Sequence, residues 1–168
     1  MKLFRLLCRL LAFLVLAGAV SGQQPGTHRQ PTIGQILVAT EKSRDADLAH
    51  SVILLIYSDP NGLMGLILNR PQDKAGYFGG PIPLGTRTLF RSRTKPVDAQ
   101  RILDEVYMVS KEVPNSKDAT ARVYAGYAGW TMRQLMDEID LGLWKVVPGD
   151  VAMIFDPHPE TLWQRAVR

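Results

Sequence analysis

The sequence predicts an α+β fold, a single domain built on a curled, mostly antiparallel or mixed sheet, barrel-like, with a few flanking helices. Three observations predict it. Apolar runs of strand length outnumber helical patterns and do not alternate with them. Clusters of Gly, Pro, Asn and Asp separate those runs. The 168 residues make a single-domain length without internal repeats.

The chain begins with a targeting pattern. Lys2, Arg5 and Arg9 precede an apolar stretch from Leu10 to Val20, and the small residues around Ala17–Ala19 and Ser21–Gly22 suit cleavage. A basic start, a short apolar middle and a small-residue end predict a secretory signal peptide over 1–22. Residues 23–33 then read as a flexible tether rich in Gln, Pro and Gly, and the domain proper as 34–168. Without residues 1–22 the net charge falls from +4 to +1, since Lys2, Arg5 and Arg9 go with them. The basicity therefore belongs to the export pattern and not to a nucleic-acid footprint. Cys8, the chain's one cysteine, leaves too, so the mature chain has neither disulfide nor thiol chemistry. No transmembrane span is expected after cleavage.

Within the domain, Gly34–Thr40 reads as a first strand. Ser51–Tyr57 is a continuous apolar run, expected to be buried on both faces. The cluster Ser58-Asp59-Pro60-Asn61-Gly62 marks a turn, with Asn-Gly expected to supply positive φ, and Leu63–Leu68 returns as the second arm of a hairpin. Strands are expected over Thr86–Thr94, Arg101–Ser110, Ala121–Ala125 and Val151–Phe155. Pro159 is placed for the first position of a last helix whose Leu162, Trp163 and Ala166 face inward.

The stretch that organises the rest is Gly126-Tyr127-Ala128-Gly129-Trp130-Thr131-Met132-Arg133-Gln134-Leu135. Gly126 and Gly129 permit a sharp turn or a close approach by another segment. Thr131 and Gln134 have capping-box spacing, and Trp130 and Leu135 flank them as a hydrophobic staple. Met132, Leu135, Met136 and Ile139 form one stripe of a helix over Met132–Leu141, with Arg133, Asp137, Glu138 and Asp140 away from it. Gly142 sits where a left-handed cap belongs.

These residues carry a resemblance. The run from Gly126 to Trp130, then Gln134-Leu135, Glu138-Ile139, Trp144, Phe155 and Leu162-Trp163, is similar to the YqgE/AlgH family of bacterial proteins. Asn69-Arg70-Pro71, Gly79-Gly80-Pro81 and Gly62-Leu-Met-Gly65 resemble motifs of the same family. The chain departs from the pattern in two shortened segments, 72–78 and 111–120. It also has Arg91 where a His is usual and Arg133 where a Gly is usual. Some members carry a transcriptional-regulator label, which would imply a cytoplasmic protein starting nearer Gly34.

Candidate sites are few. Ser51 follows His50 but lacks a Gly-x-Ser-x-Gly elbow, and His50 is expected to point to the opposite face. His28, His50 and His158 show no metal-ligand spacing, so neither a metal nor a cofactor is expected. Gly79-Gly80 lacks a phosphate-loop pattern. The remaining candidate is a concave surface on which Asn69, Arg70, Gly79 and Gly80 converge, offering donors beside exposed backbone to a small anion or a peptide carboxylate. Arg87, Arg91, Arg93 and Lys95 fall on one face of an extended segment, expected to be a charge-guarded edge strand or a surface for an anionic partner. The reading is a non-enzymatic periplasmic or secreted module that binds a small anion, a peptide or an envelope protein, with no direct nucleic-acid contact. A cytoplasmic regulator and a weak hydrolase are the alternatives.

Overall fold

The computed structural model describes residues 30–72, 76–111 and 121–168. The expected signal peptide, most of the tether and most of the shortened segment 111–120 lie outside the described residues. The strands are β1 (Ile36–Ala39), β2 (Val52–Asp59), β3 (Gly62–Ile67), β4 (Pro71–Gln72), β5 (Gly76–Phe78), β6 (Ile82–Arg91), β7 (Gln100–Leu103), β8 (Val106–Val109), β9 (Ala121–Trp130) and β10 (Trp144–Val147). Helix α1 (Met132–Asp140) follows β9. Helix α2 (Val151–Ile154), a 3-10 turn (Pro159–Thr161) and helix α3 (Leu162–Ala166) end the chain.

The strands pair in the order β10-β1-β2-β3-β9-β6-β8-β7, every neighbour antiparallel. A small hairpin, β4–β5, joins through a parallel pairing of β5 with β9. The α+β class holds. The sheet curls without closing into a barrel, although its far end returns toward its start: Gln100 donates from Nε2 to the Ile56 carbonyl at 3.1 Å.

Both faces of the sheet are covered, which explains the unbroken apolar runs. Ile36, Val38, Val52, Leu54 and Ile56 enter one core with Ile154, Leu162 and Trp163 from α2 and α3. Their strand neighbours Leu37, Ala39, Ile53 and Leu55 enter the other, with Leu135 of α1, Trp130 and Trp144. Alternate side chains of a strand point to opposite faces, so a sheet sandwiched between helices needs apolar residues at every position.

Helix α1 follows its local signals. Thr131 Oγ1 accepts from the Gln134 amide at 3.1 Å, and Gly142 takes φ +71° past the last turn. The second half of the expected capping box is absent. The Gln134 side chain instead donates to Glu138 Oε1 at 2.9 Å, one turn along the helix. Thr131→Ala should therefore cost about 1 kcal/mol of stability, the usual value of a lost N-cap. Urea unfolding would measure it.

Four expectations are corrected. Val151–Phe155 is not a strand: Asp150 Oδ1 accepts from the Ala152 amide at 2.8 Å, capping a short helix that buries Ile154. The signal was present in Asp150, at an N-cap position. Arg101–Ser110 is not one strand but the hairpin β7–β8, turning at Asp104-Glu105 with Glu105 at φ +61°. The Asn61-Gly62 turn does not use positive φ. Pro60 and Asn61 are its two central residues, and proline's fixed negative φ forbids the primed turn. Asp59 Oδ1 holds the loop instead, accepting from the amides of Asn61 and Gly62 at 2.8 and 2.9 Å. Finally, the basic run is not on an edge strand. Strand β6 lies between β9 and β8 and ends at Arg91, leaving Arg93 and Lys95 beyond it. Arg87 stacks on the Tyr127 ring at 4.7 Å and Arg91 pairs with Glu105 at 3.6 Å.

Candidate functional site

Asn69 and Arg70 stand just beyond β3, and both reach across to the backbone that enters β2. Asn69 Oδ1 accepts from the Val52 amide at 2.9 Å, and its Nδ2 donates to the His50 carbonyl at 2.9 Å. Arg70 Nη2 donates to the Ala49 carbonyl and to Ser51 Oγ, both at 3.1 Å. Four hydrogen bonds thus fix residues 49–52. They hold His50 at φ +57°, a left-handed conformation that a non-glycine residue adopts only when its surroundings impose it. His50 is therefore not a strand residue on the face opposite Ser51. Its ring lies 4.1 Å from that of Trp163, whose Nε1 donates to the Ala39 carbonyl at 2.7 Å. Ser51 itself is fully buried beneath the guanidinium.

Around this clamp opens a pocket of about 440 Å³, lined by Ala49, His50, Asn69, Arg70, Glu160, Trp163 and Gln164. That volume falls in the range of small-molecule sites, roughly 300–1,000 Å³. One wall comes from the start of β2 and the end of β3, the other from the C-terminal 3-10 turn and α3. Arg70 Nη1 and Nε have no hydrogen-bond partner among the described residues, and the guanidinium lies 5.8 Å from the centre of the Phe78 ring. Burial weighs against its charge, and the carboxylates of Asp47 and Asp45 favour it in return.

The C-terminal wall is held by a second arginine pair. Asp156, 7 % exposed, receives Arg165 through both oxygens at 2.8 and 2.9 Å and the His158 amide at 2.8 Å. Arg122 reaches from β9 to the carbonyls of Ile154 and Asp156, its guanidinium 4.9 Å from the centre of the Tyr77 ring. The Arg165 hydrogen bonds hold the Asp156 carboxyl below the usual range, against burial. A carboxylate whose pKa is lowered on folding stabilises the native state above its unfolded pKa, about 3.9. That contribution disappears as pH falls through the lower folded value. Arg165→Ala should cost about 1.5–3 kcal/mol at pH 7, the range for hydrogen bonds to a charged group, and toward its lower end because Arg165 is half exposed. Thermal unfolding between pH 7 and pH 2 would show the variant losing less stability with acid than the parent.

The pocket gathers Asn69 and Arg70 but is not lined by Gly79 or Gly80. Those two glycines are buried behind the β4–β5 hairpin, against the backbone of β9. The two motifs still meet, since the Phe78 amide donates to the Arg70 carbonyl at 2.9 Å and the Ile67 amide to the Gly79 carbonyl at 3.0 Å. Gly126 (φ +73°) lies against the carbonyls of Gly80 and Ile82. Gly129 and Tyr127 flank Ile82 of β6, and Trp130 and Gln134 serve α1. Glu160 and Gln164 were not foreseen as lining residues, because nothing local links them to Arg70 some ninety positions earlier. Among the described residues, no group of three His, Cys, Asp or Glu side chains gathers to hold a metal.

Comparison with known proteins agrees with this architecture. A family model described as AlgH-like (DUF179) matches residues 36–168. A UPF0301 protein of Streptomyces coelicolor is 31% identical over 163 residues, covering 80% of this chain and 84% of the relative. One from Methylococcus capsulatus is 30% identical, covering 82% and 90%. The solution structure of the AlgH protein from Pseudomonas aeruginosa superposes with a TM-score of 0.62 at 26% identity, covering 84% of this chain and 91% of that one. A crystal structure of a Corynebacterium diphtheriae protein shares the fold with a TM-score of 0.69 at 23% identity, covering 82% and 86%. The chain belongs to the AlgH-like (DUF179, UPF0301) family.

Proposed function

We propose that this AlgH-like chain is an exported, non-enzymatic binding module whose ligand presents a carboxylate, as a small anion or as part of a peptide, to Arg70. The observation that carries the proposal is the Asn69–Arg70 clamp. It uses one guanidinium nitrogen, Nη2, to rigidify the floor of a pocket of about 440 Å³ that Arg70 lines. A guanidinium fixed in this way can donate to a carboxylate oxygen through Nη1 and loses little freedom on binding. Asn69 positions that floor through His50 and Val52 and lines the pocket beside Arg70.

Export rests on the basic, apolar and small-residue pattern of residues 1–22. Cell fractionation with mass analysis of the native N-terminus tests it. A chain starting shortly after Ser21 in the envelope is expected, and a cytosolic chain beginning nearer Gly34 would overturn it.

Binding is tested on the purified chain from residue 23 onward by isothermal titration with N-acetylglycine. Arg70→Lys keeps the charge but loses the bonds to Ala49 and Ser51 that aim it, and should weaken binding about tenfold or more, the worth of a charge-assisted pair. Unchanged affinity in a variant of unchanged melting temperature would refute the assignment. So would turnover in a hydrolase screen that Arg70→Lys abolishes.

A further inference from the structure

The electrostatics of the pocket separate ligands more sharply than its one arginine suggests. Glu160 lines the same cavity from the 3-10 turn, its side chain 59% exposed. Asp45 and Asp47 lie close enough to Arg70 to act on its charge. Asp45 is pinned there, its Oδ1 accepting from the Asp47 and Leu48 amides at 2.8 and 2.9 Å. Two carboxylates thus act on the guanidinium, and a third, Glu160, lines the cavity with it. A site built for a bare anion such as phosphate gathers cations and backbone amides, and here like charges would repel a second negative charge. Gln164, which can both donate and accept, and the His50–Trp163 ring pair complete the lining.

We infer that the pocket takes a small zwitterion, an α-amino acid or a short peptide with unblocked ends, its carboxylate on Arg70 and its ammonium on Glu160. This deepens the carboxylate-binding reading and rests on it. The guanidinium supplies the charge and a single donor, Nη1, for the carboxylate, because both hydrogens of Nη2 go to Ala49 and Ser51. Glu160, on the opposite wall, supplies an acceptor for the ammonium, and the His50–Trp163 ring pair in the same lining offers apolar contact to the ligand's carbon skeleton. Bound in this way the ligand adds no net charge, so the negative surroundings of Arg70 no longer oppose it. Glu160 is a specificity residue in this arrangement. It selects for the amino group and does nothing for the carboxylate.

The experiment titrates the purified chain from residue 23 onward with alanine, alanylglycine, N-acetylalanylglycine, alanylglycine amide and inorganic phosphate. Free alanine or alanylglycine is expected to bind, with the amide weaker by about tenfold or more because a charge-assisted pair is lost. N-acetylation should weaken binding about three- to fivefold, since Glu160 is largely exposed and an exposed ion pair is worth little. Glu160→Gln should bring alanylglycine down to the level of its N-acetyl form and leave the N-acetyl form unchanged. The fold should survive this substitution, because the carboxylate is largely solvated, meets His158 Nδ1 only at 3.8 Å and acts on Arg165 by charge alone, Arg165 being held by Asp156. Should Glu160→Gln bind alanylglycine as well as the parent does, while Arg70→Lys loses it, the zwitterion inference fails and the carboxylate reading stands. Phosphate binding as tightly as alanylglycine overturns the inference too. If neither the unblocked nor the N-acetylated ligands bind, both readings fall together.

Discussion

Gly80→Ala is expected to cost the fold roughly 2–6 kcal/mol, combining backbone strain with overpacking. Gly80 sits at φ +152°, a conformation that side chains rarely adopt. A Cβ there would overlap the carbonyl carbon and oxygen of Tyr127 and the amide nitrogen of Ala128. All three are backbone atoms of β9, so no side-chain rotation relieves the overlap. Relief requires the crossing of the β5–β6 connection over β9 to open, and β9 is the strand that pairs with β3, β5 and β6. Against a total stability of about 5–15 kcal/mol for an ordinary domain, much of the native population is at risk. Gly76→Ala is the control. Its Cβ would meet only the Val123 carbonyl at 3.6 Å, an ordinary contact, and the change should stay within about 0.5 kcal/mol. Urea denaturation of both variants decides the point, and a Gly80→Ala protein as stable as the control would mean that the crossing is looser than it looks.

The same crossing shows what was legible in the sequence and what was not. Gly79-Gly80 and Gly126 announce themselves as glycines that need space, but the need is mutual. Each is explained only when a backbone some forty-five residues away is laid against it. A reading confined to local pattern therefore takes the pair for walls of a concave surface. Helix α1 was readable because cap, stripe and terminating glycine all lie within a dozen residues. The hairpin β2–β3 was readable for a similar reason, although Pro60 changed its turn chemistry. The place of β6 in the middle of the sheet was not, because strand order is set by which edges remain unpaired and not by charge along one segment. Arg87, Arg91, Arg93 and Lys95 looked like an edge guard for that reason. Of the site, Asn69 and Arg70 were visible as a motif. The opposing wall was not, since Glu160, Trp163 and Gln164 reach the pocket only through the docking of α3.

Trp130→Ala should cost about 3–5 kcal/mol, the range for truncating a buried aromatic. The indole is 5% exposed and packs in the core that α1 covers, meeting Trp144 edge to face at 5.8 Å between centroids. Its polar end matters separately. Glu138 Oε2 accepts from Trp130 Nε1 at 3.0 Å and from Trp144 Nε1 at 2.7 Å, while Oε1 accepts from Gln134. A carboxylate that the helical pattern assigns to the solvent face is thus the shared acceptor for two indoles. Trp130→Phe keeps most of the ring volume and removes one donor, so it should lose about 1 kcal/mol from the hydrogen bond, with the lost ring volume adding to that. Glu138→Ala leaves both indole N–H groups without their acceptor and should fall between the two, at about 1.5–3 kcal/mol. The order Trp130→Ala, Glu138→Ala, Trp130→Phe can be measured by urea unfolding followed through tryptophan fluorescence. The pocket's own tryptophan, Trp163, packs on the opposite face of the sheet from Trp130, while Arg70 stands 5.8 Å from the ring of Phe78, which packs against the Trp130 core. If the clamp on residues 49–52 fixes the pocket, the folded fraction of Trp130→Ala should bind alanylglycine with the parent's affinity. A loss of affinity in molecules that remain folded would mean that the Trp130 core acts on Arg70 through Phe78, and that the clamp of Asn69 and Arg70 does not fix the pocket by itself.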